Sequence, residues 1–384
     1  MEKDLKILVV DDTVTDRQIL SKVIGEIDRA ELAGVASSGK LALSKIGVKK
    51  PDLVLLDVYM PDMDGLETLR EIKRRYPDVD VVMISGVDRE TAQITVKALE
   101  SGALDFISKP RGASVAANAA ELRNALGWLV SMARTRKYTR QVKGITNGRA
   151  VAPVPAPAFR PVVKPPLPVP AVPAEKTPPP ILKRPHRKPG RIDLVAIGVS
   201  TGGPNALQEL IPRLRSDFPL PILAVQHMPA MFTASLAARL DAISAIRVVE
   251  GADGGAIDRG ALYIAQGGRH MVVRRNTDNR RVLALTDSPP VNSCRPSVDV
   301  LFRSLAMTYG GHVLMVILTG MGSDGLAGVT AVRRKGGYAI VQDEKSSVIW
   351  GMPGAVAEAD QADEIVPLSR MAARINEIVD KGRI

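Results

Sequence analysis

Short runs of apolar residues recur along both halves of the chain, each ending in a polar residue and each followed by a longer amphipathic stretch. In the first third the runs are KILVV before Asp11-Asp12, DLVLL before Asp57, DVVMI before Ser85, and DFI leading through Ser108 to Lys109-Pro110. Runs of this length, apolar at consecutive positions, predict strands buried on both faces, as in a parallel sheet. Amphipathic stretches of helical length lie between them, among them residues 17–27 and 91–101. Strands alternating with helices predict a doubly wound α/β domain.

The second half repeats the pattern. LVAIG runs into Ser200, ILAVQ into His227 and VLMVILTGMGS into Asp324, with a helix expected from about Leu326. This predicts a second α/β domain with a mostly parallel, doubly wound sheet. In such sheets the carboxyl ends of the strands lie along one edge, where ligands bind, so the polar residues that end the runs are the candidate site residues.

Composition divides the two. Residues 151–190 hold 14 of the 28 prolines. Proline lacks the backbone donor that helices and ladders need, so this stretch predicts an extended linker. The expected organisation is a domain over 1–130, a basic Pro-rich linker over 131–190 and a domain over 191–384. From Arg134 to Arg191 there are 14 Lys or Arg against the single acid Glu175, a net of +13, which leaves −2 for the rest of a chain whose total is +11. The basicity therefore belongs to the linker and not to a folded face with aromatic platforms, which argues against a nucleic-acid partner. A single cysteine, Cys294, excludes an internal disulfide, and no apolar run spans a membrane, so a cytoplasmic protein without membrane insertion is expected.

Two chemistries follow from the strand-end residues. A serine hydroxyl becomes a nucleophile when an imidazole takes its proton and a carboxylate orients that imidazole, so Ser200, His227 and Asp324 have the composition of a serine hydrolase. The glycines of Gly198-Val199-Ser200-Thr201-Gly202-Gly203 suit a sharp turn with free N–H groups for an oxyanion. Ser200 is equally readable as a helix N-cap or a phosphate-loop residue, His227 as a structural histidine and Asp324 as the N-cap of the helix at Leu326. The order Ser, His, Asp departs from that of α/β-hydrolases. His186, His270 and His312 form no HxH or HExxH pair, so no zinc hydrolase is indicated. His270 is the competing base, but it begins a strand where His227 ends one. In the first domain, Asp11, Asp12 and Asp57 at neighbouring strand ends would repel unless a cation such as Mg²⁺ sat among them, with Ser85 and Lys109 beside it to hold phosphoryl oxygens.

Residues 1 to about 130 resemble the receiver domains of two-component signalling in Asp11-Asp12, Asp57 followed by MPDMDG, Ser85 and Lys109-Pro110. The resemblance implies a flavodoxin-like fold, Asp57 as phospho-acceptor, Asp11, Asp12 and Asp57 as Mg²⁺ ligands, Ser85 and Lys109 as phosphoryl contacts, and Phe106 as the switch aromatic. Residues from about 192 resemble the catalytic domain of the CheB family of chemotaxis methylesterases in IGVSTGGP, QHMPAMFTASLAARL, GGRHM, RPSVDVLFRSLA, LTGMGSDGLAG and QDEKSSVIWGMP. That resemblance implies Ser200 as nucleophile, His227 as base, Asp324 as orienting acid and the backbone N–H groups of Thr201 and Met321 as oxyanion donors. No cofactor is expected for the esterase. Departures from the family pattern are Gln266 in YIAQGG, Cys294 before RPSVD and the segment GVDRE after Ser85. The function implied is a phosphorylation-regulated esterase acting on glutamyl methyl esters of methylated chemoreceptors, with glutamine deamidation, under a chemotaxis-type histidine kinase. The alternative is a non-catalytic response regulator whose second domain binds a protein or a phosphate-containing ligand.

Overall fold

The computed structural model describes residues 4–86, 88–110, 115–148, 182–183 and 188–382. Its first body runs β1 (Leu5–Val10), α1 (Val14–Gly25), β2 (Ala30–Ala36), α2 (Gly39–Lys49), β3 (Leu53–Asp57), α3 (Gly65–Arg75), β4 (Asp80–Ser85), α4 (Arg89–Glu100), β5 (Asp105–Ser108) and α5 (Val115–Gly148). The strands form one parallel sheet in the order β2-β1-β3-β4-β5. Every residue of β3 and β4 is buried, which is why these strands read as unbroken apolar runs. The chain reverses its winding between β1 and β3, so the crevice of the sheet opens where Asp11 and Asp57 end neighbouring strands.

Caps set the helix ends more than periodicity does. Helix α4 begins two residues ahead of the expected 91 because the Asp88 side chain accepts the Thr91 N–H at 2.8 Å. Helix α1 starts three residues before the expected 17. Helix α5 continues to Gly148, past residue 130. Of the Pro-rich stretch of residues 151–190, expected as an extended linker, residues 151–181 and 184–187 lie outside the described residues.

The second body contains β6 (Leu182–Lys183), β7 (Leu194–Val199), α6 (Gly203–Leu210), β8 (Ile222–Gln226), α7 (Phe232–Ile243), β9 (Arg247–Glu250), β10 (Ala261–Ile264), β11 (His270–Arg275) and β12 (Arg281–Thr286). After these come α8 (Val298–Thr308), β13 (Val313–Ile317), α9 (Leu326–Arg333), β14 (Tyr338–Gln342), α10 (Gly351–Glu358), β15 (Glu364–Val366) and α11 (Leu368–Lys381). Eight strands form one sheet in the order β6-β15-β14-β13-β7-β8-β10-β9, parallel except for β6 at one edge. Strands β11 and β12 form a separate antiparallel hairpin. The winding reverses at β7, which lies between β8 and β13. Pairing of Val199 with Gln226 continues one position further, where the His227 N–H reaches the Val199 carbonyl at 3.2 Å and the Ser200 N–H reaches the Thr319 carbonyl at 3.0 Å. Register therefore delivers Ser200 and His227 side by side at the switch point of the sheet.

The two bodies pack through the α4–β5 face of the first and the α6–α7 face of the second. Phe106 of β5 stacks on Phe232 of α7, with ring centroids 4.3 Å apart and planes 25° from parallel. Glu100 pairs with Arg239, and the Thr201 hydroxyl donates to Asp105 at 2.9 Å.

Candidate active site

Ser200 follows β7 directly and is almost buried. The turn behind it is possible only without side chains. Gly202 has φ +73°, and a Cβ on Gly203 would lie 2.0 Å from Oε1 of Gln226, whose amide nitrogen donates to the Ser200 carbonyl at 2.9 Å. His227 follows β8, and its Nε2 meets Asp324 Oδ2 at 2.8 Å. Its Nδ1 therefore faces away from the carboxylate. There Cys294 Sγ stands at 3.5 Å, and among the described residues Ser200 and His227 share no hydrogen bond.

Asp324 does not cap α9, whose N-cap is Gly325. It caps α8 instead. Its oxygens accept the N–H groups of Val298 at 2.7 Å and Asp299 at 3.2 Å, together with the Ser297 hydroxyl at 2.8 Å and the Asn292 amide at 2.9 Å. Asp299 returns the arrangement by accepting the N–H groups of Gly325 at 3.0 Å and Gly328 at 2.7 Å at the start of α9. Two helix N-termini thus cap each other through a crossed pair of carboxylates, and an anion at Asp324 sits where helix dipoles and N–H groups favour charge. Burial favours the neutral acid, but the bonds from His227, Asn292 and Ser297 outweigh it and bring the Asp324 pKa down to about 2. Burial likewise opposes a charged His227, yet the bond to Asp324, with the Cys294 contact, holds its pKa up at about 9.

Ser200, Thr201, His227, Cys294 and Met321 line one cavity of about 640 Å³, whose opposite wall comes from Asp105, Phe106 and Trp128 of the first body. The backbone N–H groups of Thr201 and Met321 have no hydrogen-bond partner among the described residues. His270, the competing base, is fully buried and held by the Pro289 carbonyl and the Ser297 N–H, away from this group.

At the first body's sheet edge, Lys109 Nζ lies 2.9 Å from Asp11, 2.9 Å from Asp16 and 3.1 Å from Asp57. One oxygen from each of Asp11, Asp12 and Asp57 falls within 4.8 Å of the others. Burial, opposed by Lys109 and aided by Asp11, raises the Asp57 pKa to about 6. The Lys109 pKa is also raised: burial favours its neutral form, and the bonds to Asp16 and Asp11 overcome this. The Ser85 hydroxyl is fully buried with no hydrogen-bond partner among the described residues, a donor waiting for an acceptor. An oxygen-rich, crowded carboxylate cluster beside an orphaned hydroxyl fits a hard divalent cation together with a phosphoryl group.

The chain matches the family model of the CheB methylesterase over residues 195–375 and that of the response regulator receiver domain over residues 7–121. It is 42% identical over 374 residues to the protein-glutamate methylesterase/protein-glutamine glutaminase of Desulfotalea psychrophila, covering 97% of this chain and 98% of that protein. A protein of the same name from Trichodesmium erythraeum is 42% identical over 371 residues, covering 96% and 97%. This chain belongs to the CheB methylesterase family. It carries the receiver domain followed by the methylesterase domain, both α/β.

Within this CheB fold, sequence reasoning missed the residues that act through Asp324 and Lys109. Asn292, Ser297, Asp299 and Asp16 have no strand-end signature. Ser297 and Asp299 stand at the start of α8, whereas their partner Asp324 lies across the sheet edge.

Proposed function

We propose that this chain is a phosphorylation-controlled serine esterase of the cytoplasm that hydrolyses glutamyl methyl esters on chemoreceptors and deamidates receptor glutamines. The single observation that carries the reading is the His227–Asp324 bond at the strand edge that also bears Ser200, opening into one cavity. Asp324 holds Nε2 and favours the imidazolium. Nδ1 is then the nitrogen that takes the Ser200 proton as Oγ attacks the ester carbonyl. The backbone N–H groups of Thr201 and Met321 receive the oxyanion. The proton on Nδ1 passes to the leaving methoxide, which departs as methanol, or to the leaving amide nitrogen, which departs as ammonia. A water then gives its proton to Nδ1, cleaves the acyl-enzyme and frees the glutamate and Ser200.

The receiver face supplies control. Asp105, Phe106 and Trp128 of the receiver roof the cavity, so the docked receiver blocks a receptor glutamate from Ser200. Asp57 accepts a phosphoryl group from a chemotaxis-type histidine kinase, with Ser85 and Lys109 holding its oxygens. Asp11, Asp12 and Asp57 would hold Mg²⁺, which would offset the negative charge gathered in that transfer. The added negative charge draws Lys109 and Ser85 inward and repacks β5, moving Phe106 off Phe232. Among the described residues no helix is long and apolar enough to cross a membrane.

Turnover of a methylated receptor fragment, measured as methanol release, tests the reading. Ser200→Ala is expected to abolish it, and turnover that survives this change would remove Ser200 as the nucleophile.

A further inference from the structure

The chain's single cysteine stands against the base of the site. Cys294 lies in the loop between β12 and α8, partly buried, with Sγ 3.5 Å from His227 Nδ1. Sulfur thus faces the ring nitrogen that Asp324 leaves open. Two ligand atoms of one tetrahedral zinc, with Zn–S of about 2.3 Å and Zn–N of about 2.0–2.1 Å, lie roughly 3.6 Å apart. The observed separation is that edge.

The donors are also held in place. The Asn292 amide of the same loop ties it to Asp324 and Asp299, Val291 and Cys294 exchange backbone hydrogen bonds, and the Arg295 guanidinium grips the Asp287 and Ser288 carbonyls. His227 is fixed by Asp324. One atom each from His227, Cys294 and Asp324 falls within 4.8 Å of the others. Both Asp324 oxygens are already engaged by Asn292, Ser297, Val298, Asp299 and His227, so the carboxylate orients the ring and does not ligate. Two protein ligands remain, with the other coordination positions open to water on the cavity side. A thiol and an imidazole select a thiophilic cation over Mg²⁺ or Ca²⁺.

We propose that Cys294 Sγ and His227 Nδ1 form an inhibitory site for a thiophilic divalent cation of the zinc class, which stops the esterase by occupying the nitrogen that must take the Ser200 proton. The inhibitory step rests on the reading of His227 as base. On binding, the S–H bond and the Nδ1–H bond of the protonated ring break, a sulfur–metal and a nitrogen–metal bond form, and both protons leave to solvent. With only two protein ligands the ion exchanges with solution, so the block is reversible.

The experiment uses the full-length, tag-free protein. Cadmium is titrated while the ultraviolet thiolate-to-cadmium charge-transfer band is followed, and zinc inhibition of ester hydrolysis is measured in parallel, each variant against its own metal-free rate. The band is expected in the wild type and in Ser200→Ala, and its absence is expected in Cys294→Ser. The zinc inhibition constant is expected to rise at least about tenfold in Cys294→Ser. No band in the wild type, or equal zinc inhibition of the wild type and Cys294→Ser, would overturn the proposal. So would a band that forms while zinc leaves wild-type turnover unchanged. Ser200→Ala reads the site where turnover is lost, and a cadmium band in a wild type that shows no ester hydrolysis would support the metal site while removing the esterase reading.

Discussion

His227 is both the most exposed point of the mechanism to pH and the side chain with the most decided geometry. A base works only when neutral, and a pKa held at about 9 keeps the ring protonated at neutral pH. The ester hydrolysis rate of the full-length protein is therefore expected to climb with pH and reach half its maximum near 9, measured as a pH–rate profile. Asp324→Asn removes the bond that raises the ring, so its profile should shift to lower pH while the rate falls by roughly 10⁴-fold through the wrong tautomer. Folding stability runs the opposite way with pH. With the folded pKa above the unfolded value, the pair stabilises the protein fully below the ordinary histidine pKa of about 6.5, and that stabilisation is lost as pH rises through the folded value. Asn292 acts one step back, donating to Asp324 at 2.9 Å and to Asp299 at 3.0 Å. Hydrogen bonds to charged groups contribute about 1.5–3 kcal/mol, so Asn292→Ala should lower kcat by roughly ten- to a hundredfold. KM is expected to change little, because Asn292 touches the acid and not the substrate, and steady-state kinetics separate the two.

At the scale of elements, the site is a joint between helix starts and strand ends. Helices α8 and α9 exchange capping carboxylates, so Asp299→Ala strips two N–H groups of α9 and frees Asn292 from one of its two anchors. Caps of this kind contribute about 0.5–2 kcal/mol each, and buried N–H groups left unpaired add to the cost. Thermal unfolding of the full chain should show the second body melting earlier, with esterase activity lost ahead of secondary structure. In the receiver, α3 begins against β3 so closely that a Cβ on Gly65 would meet the Asp57 carbonyl at 2.1 Å. Gly65→Ala cannot be relieved by a side-chain rotation, because the obstacle is backbone. It is expected to destabilise the receiver by roughly 1–3 kcal/mol and to slow labelling of Asp57 by a small-molecule phosphodonor.

At the scale of the molecule, one face of the receiver covers one cavity of the esterase. Phe106 and Asp105 lie next to each other on β5, and both reach across, to Phe232 and to Thr201. Burial of the Asp105 carboxyl pushes its pKa up to about 6, against the bonds from Phe106 and Thr201. Phosphodonor with Mg²⁺ should raise the esterase rate of the intact protein, and Asp57→Ala should keep the basal rate while losing that response. Removal of residues 1–150 should raise the basal rate. Equal rates with and without the receiver would mean that it acts by targeting rather than by covering the site.

The apolar runs determined the class of both sheets, because a parallel strand buried on two faces must be apolar at consecutive positions, and a run's end marks the sheet edge where ligands gather. Ser200, His227, Asp57 and Lys109 were legible for that reason: each sits within two residues of the strand that carries it. The helix ends were less legible, since a cap such as Asp88 competes with periodicity over the same few residues. Asp324 was legible as a position near the sheet edge, but its carboxylate caps α8 and not the α9 that its place in the chain suggested, because a carboxylate caps whichever N-terminus the fold brings within reach. Nothing local marked Asn292, Ser297, Asp299 or Asp16, whose partners lie across a sheet edge. Only tertiary structure set Cys294 against His227 Nδ1 and Phe106 against Phe232. Sequence periodicity reports which face of an element is buried; which elements face each other is decided by winding, register and packing between segments a hundred or more residues apart.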